Sequence, residues 1–288
     1  RIALSAGMKT SPLALLLFLV PSLVAKAERN EEADYELKKD IPYLGKGQAL
    51  SEDRRTRCKL DLYRPKSVKG FATVVWFHGG GLRSGGKSIP KQLRSQGLAV
   101  VAPNYRLFPK AKCPQYIEDA AAAVAWTFSN VAKFGGDPEL IFVSGHSAGG
   151  YLTSMVGMDK TYLAKHGIDS DDLAGLIPFS GHTITHFTPR QERGIPKKEV
   201  LVDEFAPLAH LRKEAPPILL ITGDRELEML GRYEENAYFW RMLKVTGHPN
   251  AELRELAGLN HGEMAVPAFG LLLKFVGKYA KLAKDRRR

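Results

Sequence analysis

"FVSGHSAGGYL", residues 142–152, sets Ser147 among three glycines, Gly145, Gly149 and Gly150, directly after an apolar run. The preceding "ELIFV" reads as a buried strand and the following "AGGYLTSMVG" as a helix, so the glycines mark a tight strand–turn–helix corner. A serine at the apex of such a corner projects its hydroxyl beyond the sheet edge. Side chains two positions before and two after it would strike neighbouring backbone, so Gly145 and Gly149 occupy those positions. Ala148 opens the helix, where unpaired N–H groups favour a developing negative charge.

The same alternation extends along the chain. "CKLDLYRP" (58–65), "ATVVWFHGGG" (72–81), "LAVVAPNY" (98–105), "LAGLIPFSG" (173–181), "PPILLITGD" (216–224) and "AELRELAG" (251–258) read as strands, several apolar throughout as buried parallel strands are. Helical stretches lie within 113–137, 227–248 and 264–284. This predicts an α/β fold with a mostly parallel central sheet of about eight strands flanked by helices. The segment 181–205 is a long irregular loop after a strand, of a kind that is uncommon unless functional or disordered.

Ligand sites in such sheets gather at the carboxyl ends of the strands, and three further elements fall there. "HGGG", His78 to Gly81, ends a strand with bare backbone amides. Together with Ala148 these could surround an oxyanion, and each donor in such a site is worth ~10²–10³ in rate. His261 in "AGLNHGEM" follows the last strand and could take the serine proton, a role worth ~10²–10⁴. "LLITGDRELEML" offers Asp224, Glu226 and Glu228 to orient that histidine. Other histidines compete less well: His146 lies in the corner itself, and His166, His210 and His248 sit near helix ends. His182 and His186 have H-x₃-H spacing, but the intervening Thr-Ile-Thr argues against a helix, so no metal site is expected.

Taken together, "FHGGG", "NYRLFP", "GGDPELIFVSGHSAGGYL", "LLITGDRELE" and "NHGEM" resemble the α/β-hydrolase fold esterases. The nearest groups are the lipase/carboxylesterase and hormone-sensitive-lipase-like ones, and the similarity runs over about residues 57–280. The resemblance implies the chain order nucleophile, acid, base. It implies Ser147 as nucleophile, His261 as base and oxyanion amides from Gly80, Gly81 and Ala148, with His78, Gly79, Gly145 and Gly149 shaping the motifs. Many relatives carry the acid in fourth place of a G-x-x-D turn. Aligning Gly223 with that turn implies Glu226, with Asp224 as the alternative. His146, where a hormone-sensitive-lipase-like elbow often has Asp, leans towards feruloyl- or acetyl-esterase-like enzymes acting on acylated plant polysaccharides. The expected activity is hydrolysis of carboxylic esters with short acyl groups, without cofactor or metal. A peptidase or amidase on the same fold is the alternative, and a non-catalytic binding protein a remote one.

The 288 residues and 44% apolar content suffice for one core. "MKTSPLALLLFLVPSLVAKA" (8–27) has the charged, apolar and small-x-small regions of a secretory signal, and its apolar run from Leu13 to Val20 is too short to span a bilayer. The expected organisation is residues 1–27 as overrun plus cleaved signal, 28–55 as a loosely held N-terminal arm, and 56–288 as the hydrolase domain of an exported protein. The net charge is +11; setting aside Arg1, Lys9 and Lys26 leaves 39 basic residues against 31 acidic, or +8. These charges are interleaved, with no basic stripe for a nucleic acid. Cys58 and Cys113 are the two cysteines, and their spacing leaves a disulfide open.

Overall fold

A computed structural model describes residues 34–45 and 51–287. In chain order its principal elements are β1 (Tyr35–Pro42), α1 (Glu52–Arg57), β2 (Lys59–Pro65), β3 (Phe71–Phe77), β4 (Ala99–Pro103), α2 (Gln115–Asn130), β5 (Gly136–His146), α3 (Ala148–Met158), α4 (Lys160–Ala164), β6 (Gly175–Phe179), α5 (Phe187–Glu192), β7 (Ile218–Gly223), α6 (Arg232–Val245), β8 (Ala251–Leu256) and α7 (Ala265–Arg286). The eight strands form one sheet in the order β1-β2-β4-β3-β5-β6-β7-β8. β1 and β2 pair antiparallel, as do β2 and β4, and from β4 to β8 every pairing is parallel. The expected α/β class and strand count are therefore met.

Apolar side chains on both faces hold the sheet. β3 is buried at every position, and its alternate residues serve opposite layers: Phe71, Val75 and Phe77 face one core, Val74 and Trp76 the other. α2, α3 and α6 cover the first face, and α7 covers the second through Phe269, Leu272, Phe275, Val276 and Tyr279. That three-and-four spacing makes one apolar stripe. Each large side chain so buried contributes roughly 1.5–3 kcal/mol. α2 starts after Pro114, and the single turn beyond it closes on Gly135 at φ 92°, a left-handed position that suits glycine.

The arm expected over 28–55 requires correction. Tyr35–Pro42 is a full edge strand paired to β2 from Tyr35↔Pro65 to Pro42↔Lys59, so the domain begins some twenty residues earlier than expected. The alternation of its side chains is partly polar because an edge strand buries little, which hides it in the sequence. The signal-like segment 8–27 lies outside the described residues. Cys58 and Cys113 are free thiols. No helix among the described residues is long and apolar enough to cross a membrane.

Candidate active site

The corner after β5 is built as its glycines require. Ser147 adopts φ 58°, ψ −115°, a region costly for a residue with a side chain and sustained only by firm surroundings. Its amide donates to Phe179 O at 2.8 Å and its carbonyl accepts from Tyr151 N at 3.0 Å. A Cβ on Gly145 would lie 2.6 Å from Phe77 O, and one on Gly149 only 2.1 Å from the same atom. β3 thus passes so close to the start of α3 that only glycine fits on either side of the serine.

The "HGGG" segment leaves β3 beside this corner. A Cβ on Gly79 would stand 3.1 Å from His146 O and 3.5 Å from Ser147 Cβ. Gly80 and Gly81 take φ 107° and 64°, and no acceptor among the described residues meets the amides of Gly80, Gly81 or Ala148. His78 braces the loop: its Nδ1 donates to Gly79 O at 2.7 Å, its ring stacks on Tyr105 at 4.4 Å, and Tyr105 OH donates to His78 O at 2.7 Å. Burial pushes the His78 pKa down to about 4, so this imidazole stays neutral. Arg57, on α1, clamps the same region through Tyr105 O at 3.0 Å and Gly85 O at 2.6 Å.

His261 lies in the connection from β8 to α7, ordered by the Asn260 side chain, which accepts from the Gly262 and Glu263 amides. Its Nδ1 is 2.9 Å from Glu228 Oε2 and 3.1 Å from Ser180 Oγ. Ser180 Oγ in turn donates to Glu228 Oε1. A carboxylate on Nδ1 keeps the hydrogen there and leaves Nε2 with its lone pair free. Burial raises the Glu228 pKa, but hydrogen bonds from His261, Ser180 and the Gly223 amide outweigh it and bring it down to about 2. Glu228 is therefore ionised near neutral pH.

The acid expected at Glu226 is corrected by this geometry. Glu226 is exposed and makes no hydrogen bond or ion pair with His261; its amide donates to Asp224 Oδ1. Asp224 is engaged elsewhere, its Oδ2 accepting from Gly258 N at 2.7 Å. Glu228 N donates to Asp224 O at 2.8 Å, so a hydrogen-bonded turn carries the chain past Glu226 and brings Glu228 back over Gly223. The longer glutamate then spans to His261 from two positions further on.

Two residues that contact His261 were not given that place by the sequence: Ser180 was not singled out, and His146 was noted without a role. Ser180 ends β6 at φ 46° with its amide on Ile221 O at 2.7 Å; a polar residue between an apolar strand and a glycine was the available signal. His146 donates from Nε2 to His261 O at 2.8 Å, its ring 4.8 Å from the His261 ring. Burial and the neighbouring His261 charge lower its pKa to about 4. A neutral His146 thus ties the residue preceding the serine to the backbone of the histidine. His182 and His186 do meet edge to face at 4.9 Å. His182 Nδ1, however, is 2.9 Å from Glu235, and His186 Nδ1 accepts from Thr188 N at 3.1 Å. No group of three or more His, Cys, Asp or Glu among the described residues could hold a metal.

The loop 181–205 lies over the glycine segment. Thr188, in α5, donates from Oγ1 to Gly81 O at 2.6 Å, and Arg83 Nη2 donates to Gln191 Oε1 at 2.8 Å.

Comparison with known proteins agrees with this architecture. The BD-FAE family model matches residues 60–175. Esterase LipC of Mycobacterium tuberculosis is 28% identical over 70% of this chain and 56% of its own length. The isoprenylcysteine alpha-carbonyl methylesterase ICME of Arabidopsis thaliana is 32% identical over 72% of this chain and 54% of its own length. The chain thus spans little more than half the length of these curated relatives. A truncated carbohydrate esterase from gut microbiota superposes with TM-score 0.70 at 21% identity, over 86% of this chain and 98% of that one. The chain belongs to the α/β-hydrolase fold and is related to its esterases.

Proposed function

We propose that this protein is a serine esterase that hydrolyses carboxylic esters through an acyl-enzyme. The observation that carries the reading is the Glu228–His261 hydrogen bond at 2.9 Å, with His261 O held by His146, next to a strained Ser147. Ser147 Oγ attacks the ester carbonyl carbon while its proton passes to His261 Nε2. The tetrahedral oxyanion is taken by the amides of Gly80, Gly81 and Ala148, and the imidazolium by Glu228. Collapse breaks the bond to the alcohol oxygen, which leaves with the proton from His261. Water, deprotonated by the same imidazole, then releases the acid and restores the serine. Thr188 of α5 rests on Gly81 O, beside the proposed oxyanion amides, and this placement supports a preference for short acyl groups. Acylated carbohydrates are one natural source of these.

The test is fluorophosphonate labelling of the full chain, followed by p-nitrophenyl esters of rising acyl length. Wild type should label and prefer short chains, whereas Ser147→Ala should neither label nor retain more than about 10⁻⁴ of the kcat/KM. Equal labelling of the variant would remove Ser147 from the mechanism. A rate that climbs steadily with chain length would remove the short-acyl preference.

A further inference from the structure

Beside the catalytic centre is a cavity of about 400 Å³ between loop 181–205 and the start of α6, lined by His182, Phe187, Arg190, Lys197, Lys198 and Leu230 among others. Its walls are linked along the chain to residues that contact the catalytic groups, on two sides. His182 stands two residues past Ser180, at most about 7 Å along the chain, and Ser180 touches both His261 and Glu228. Phe187 precedes Thr188, which holds Gly81 O.

Arg190 is the residue in this wall that the catalytic machinery does not explain. It is 2% exposed, and arginine is almost never so buried without an anionic partner. Arg106, also buried, shows the usual arrangement: its Nε and Nη2 meet the two oxygens of Asp119 at 2.7 and 2.8 Å. Arg190 has no carboxylate in contact, only the more distant charges of Glu235 and Glu199. Its Nη1 donates to Lys197 O at 2.9 Å and to Glu199 O, which fixes the guanidinium plane. Its Nε is buried with no hydrogen-bond partner, its Nη2 meets no acceptor among the described residues, and its guanidinium lies over the Phe187 ring at 5.9 Å. The Nε–Nη2 edge is the fork that matches a carboxylate with two parallel hydrogen bonds.

The surrounding charge agrees. Lys197 and Lys198 stand exposed at the rim in no ion pair. Two acids also line the cavity, Glu234 and Glu235. Glu235 is already engaged by His182 Nδ1 at 2.9 Å and Thr183 N at 3.0 Å. Burial lifts its pKa to about 7, so it carries only part of a charge near neutrality. Glu234 lies exposed at the surface. The balance among the lining groups is positive, and Ile184, Phe187, Val200 and Leu230 supply apolar wall around it.

We propose that this cavity is a subsite for a carboxylate-bearing part of the ester substrate, anchored on the free edge of Arg190 and steered by Lys197 and Lys198. The proposal rests on the esterase reading above. The carboxylate, joined to the ester through an apolar segment, belongs either to the acyl group or to the alcohol, and matched substrates distinguish the two. On the acyl side, monomethyl esters of dicarboxylic acids of rising length are compared with methyl esters of monocarboxylic acids of equal carbon number. On the alcohol side, 4-acetoxybenzoate is compared with phenyl acetate. The quantity read is the ratio of kcat/KM for the charged member to that for the neutral one.

In wild type the ratio should exceed one in one arm by about 10-fold, the scale of a charge-assisted hydrogen bond, and it should fall with added salt. Arg190→Gln should lower it by about 10-fold or more, and the rim variant Lys197→Ala/Lys198→Ala, which leaves the buried network intact, by a smaller factor. A ratio at or below one in both arms, or one unmoved by Arg190→Gln, overturns the subsite while leaving the esterase reading standing. Should neither member of any pair be hydrolysed, the esterase reading fails, and calorimetric titration with pimelate decides the cavity separately. Saturable binding to wild type that Arg190→Gln abolishes supports it, and no saturable binding overturns it.

Discussion

At His261, orientation rests on one carboxylate whose side chain is 1% exposed and which accepts four hydrogen bonds, from His261, Ser180 and the Gly223 and Met229 amides. Replacing it with an amide offers an N–H where the imidazole needs an acceptor, which reverses the tautomer and removes the charge that stabilises the imidazolium. Glu228→Gln should therefore lower kcat by about 10³–10⁴ with little change in KM. Glu226→Gln, at an exposed site, should stay within about 2-fold of wild type. Steady-state kinetics on a p-nitrophenyl ester separates them, and the opposite ranking would return the acid role to Glu226. Ser180 and His146 both contact His261, the first at its ring and the second at its carbonyl, and in the proposed mechanism they act through it rather than on substrate.

The elements meet most tightly where β3 passes α3. The clash a Gly149 side chain would make is with a backbone carbonyl, Phe77 O at 2.1 Å, and that strand cannot yield because it is buried at every residue. Gly149→Ala should cost more than about 3 kcal/mol by overpacking. For a chain of this size that amounts to a fall in Tm of about 10 °C. Gly258, at φ 75° with nothing within 4 Å of a built Cβ, is the control. Its alanine variant bears only the left-handed backbone cost of about 1–2 kcal/mol. Thermal unfolding of the two variants checks this, and equal losses would show that close packing does not set the corner.

Across the whole molecule, buried ionisable groups make stability depend on pH. His78 and His146 are held neutral down to about pH 4, below the ordinary histidine value near 6.5. Their contribution is complete above that ordinary value and is lost as pH falls through the folded value, because the unfolded chain then binds the proton. Each loss approaches about 3 kcal/mol. Glu235 acts in the opposite sense: with its pKa raised to about 7, it contributes below the ordinary carboxylate value and loses that contribution as pH rises through 7. Two histidines outweigh one carboxyl, so Tm should fall on acidification from pH 7 to 4, with a smaller slope in His146→Gln. A flat or rising Tm over that interval would contradict the balance. Glu228 adds a further loss only below about pH 4.5, as pH falls towards its folded value near 2.

The sequence by itself determined the parallel core and the elbow. Short apolar runs such as "ATVVWF", ending in glycines, suit strands covered on both faces, and glycines on either side of Ser147 suit a tight corner. "HGGG" and His261 were legible for the same reason, each falling at the end of a readable strand. Three things were decided only in the folded chain. β1 draws its stability from pairing with β2, which its own mixed polarity does not announce. Glu228 is the carboxylate that reaches His261 because a turn after Gly223 directs it inward, and three nearby carboxylates in an irregular segment carry no periodicity from which direction could be read. Arg190 looks like any surface arginine in a charged loop. Only the packing of that loop against α6 buries it and leaves one edge of its guanidinium without a partner.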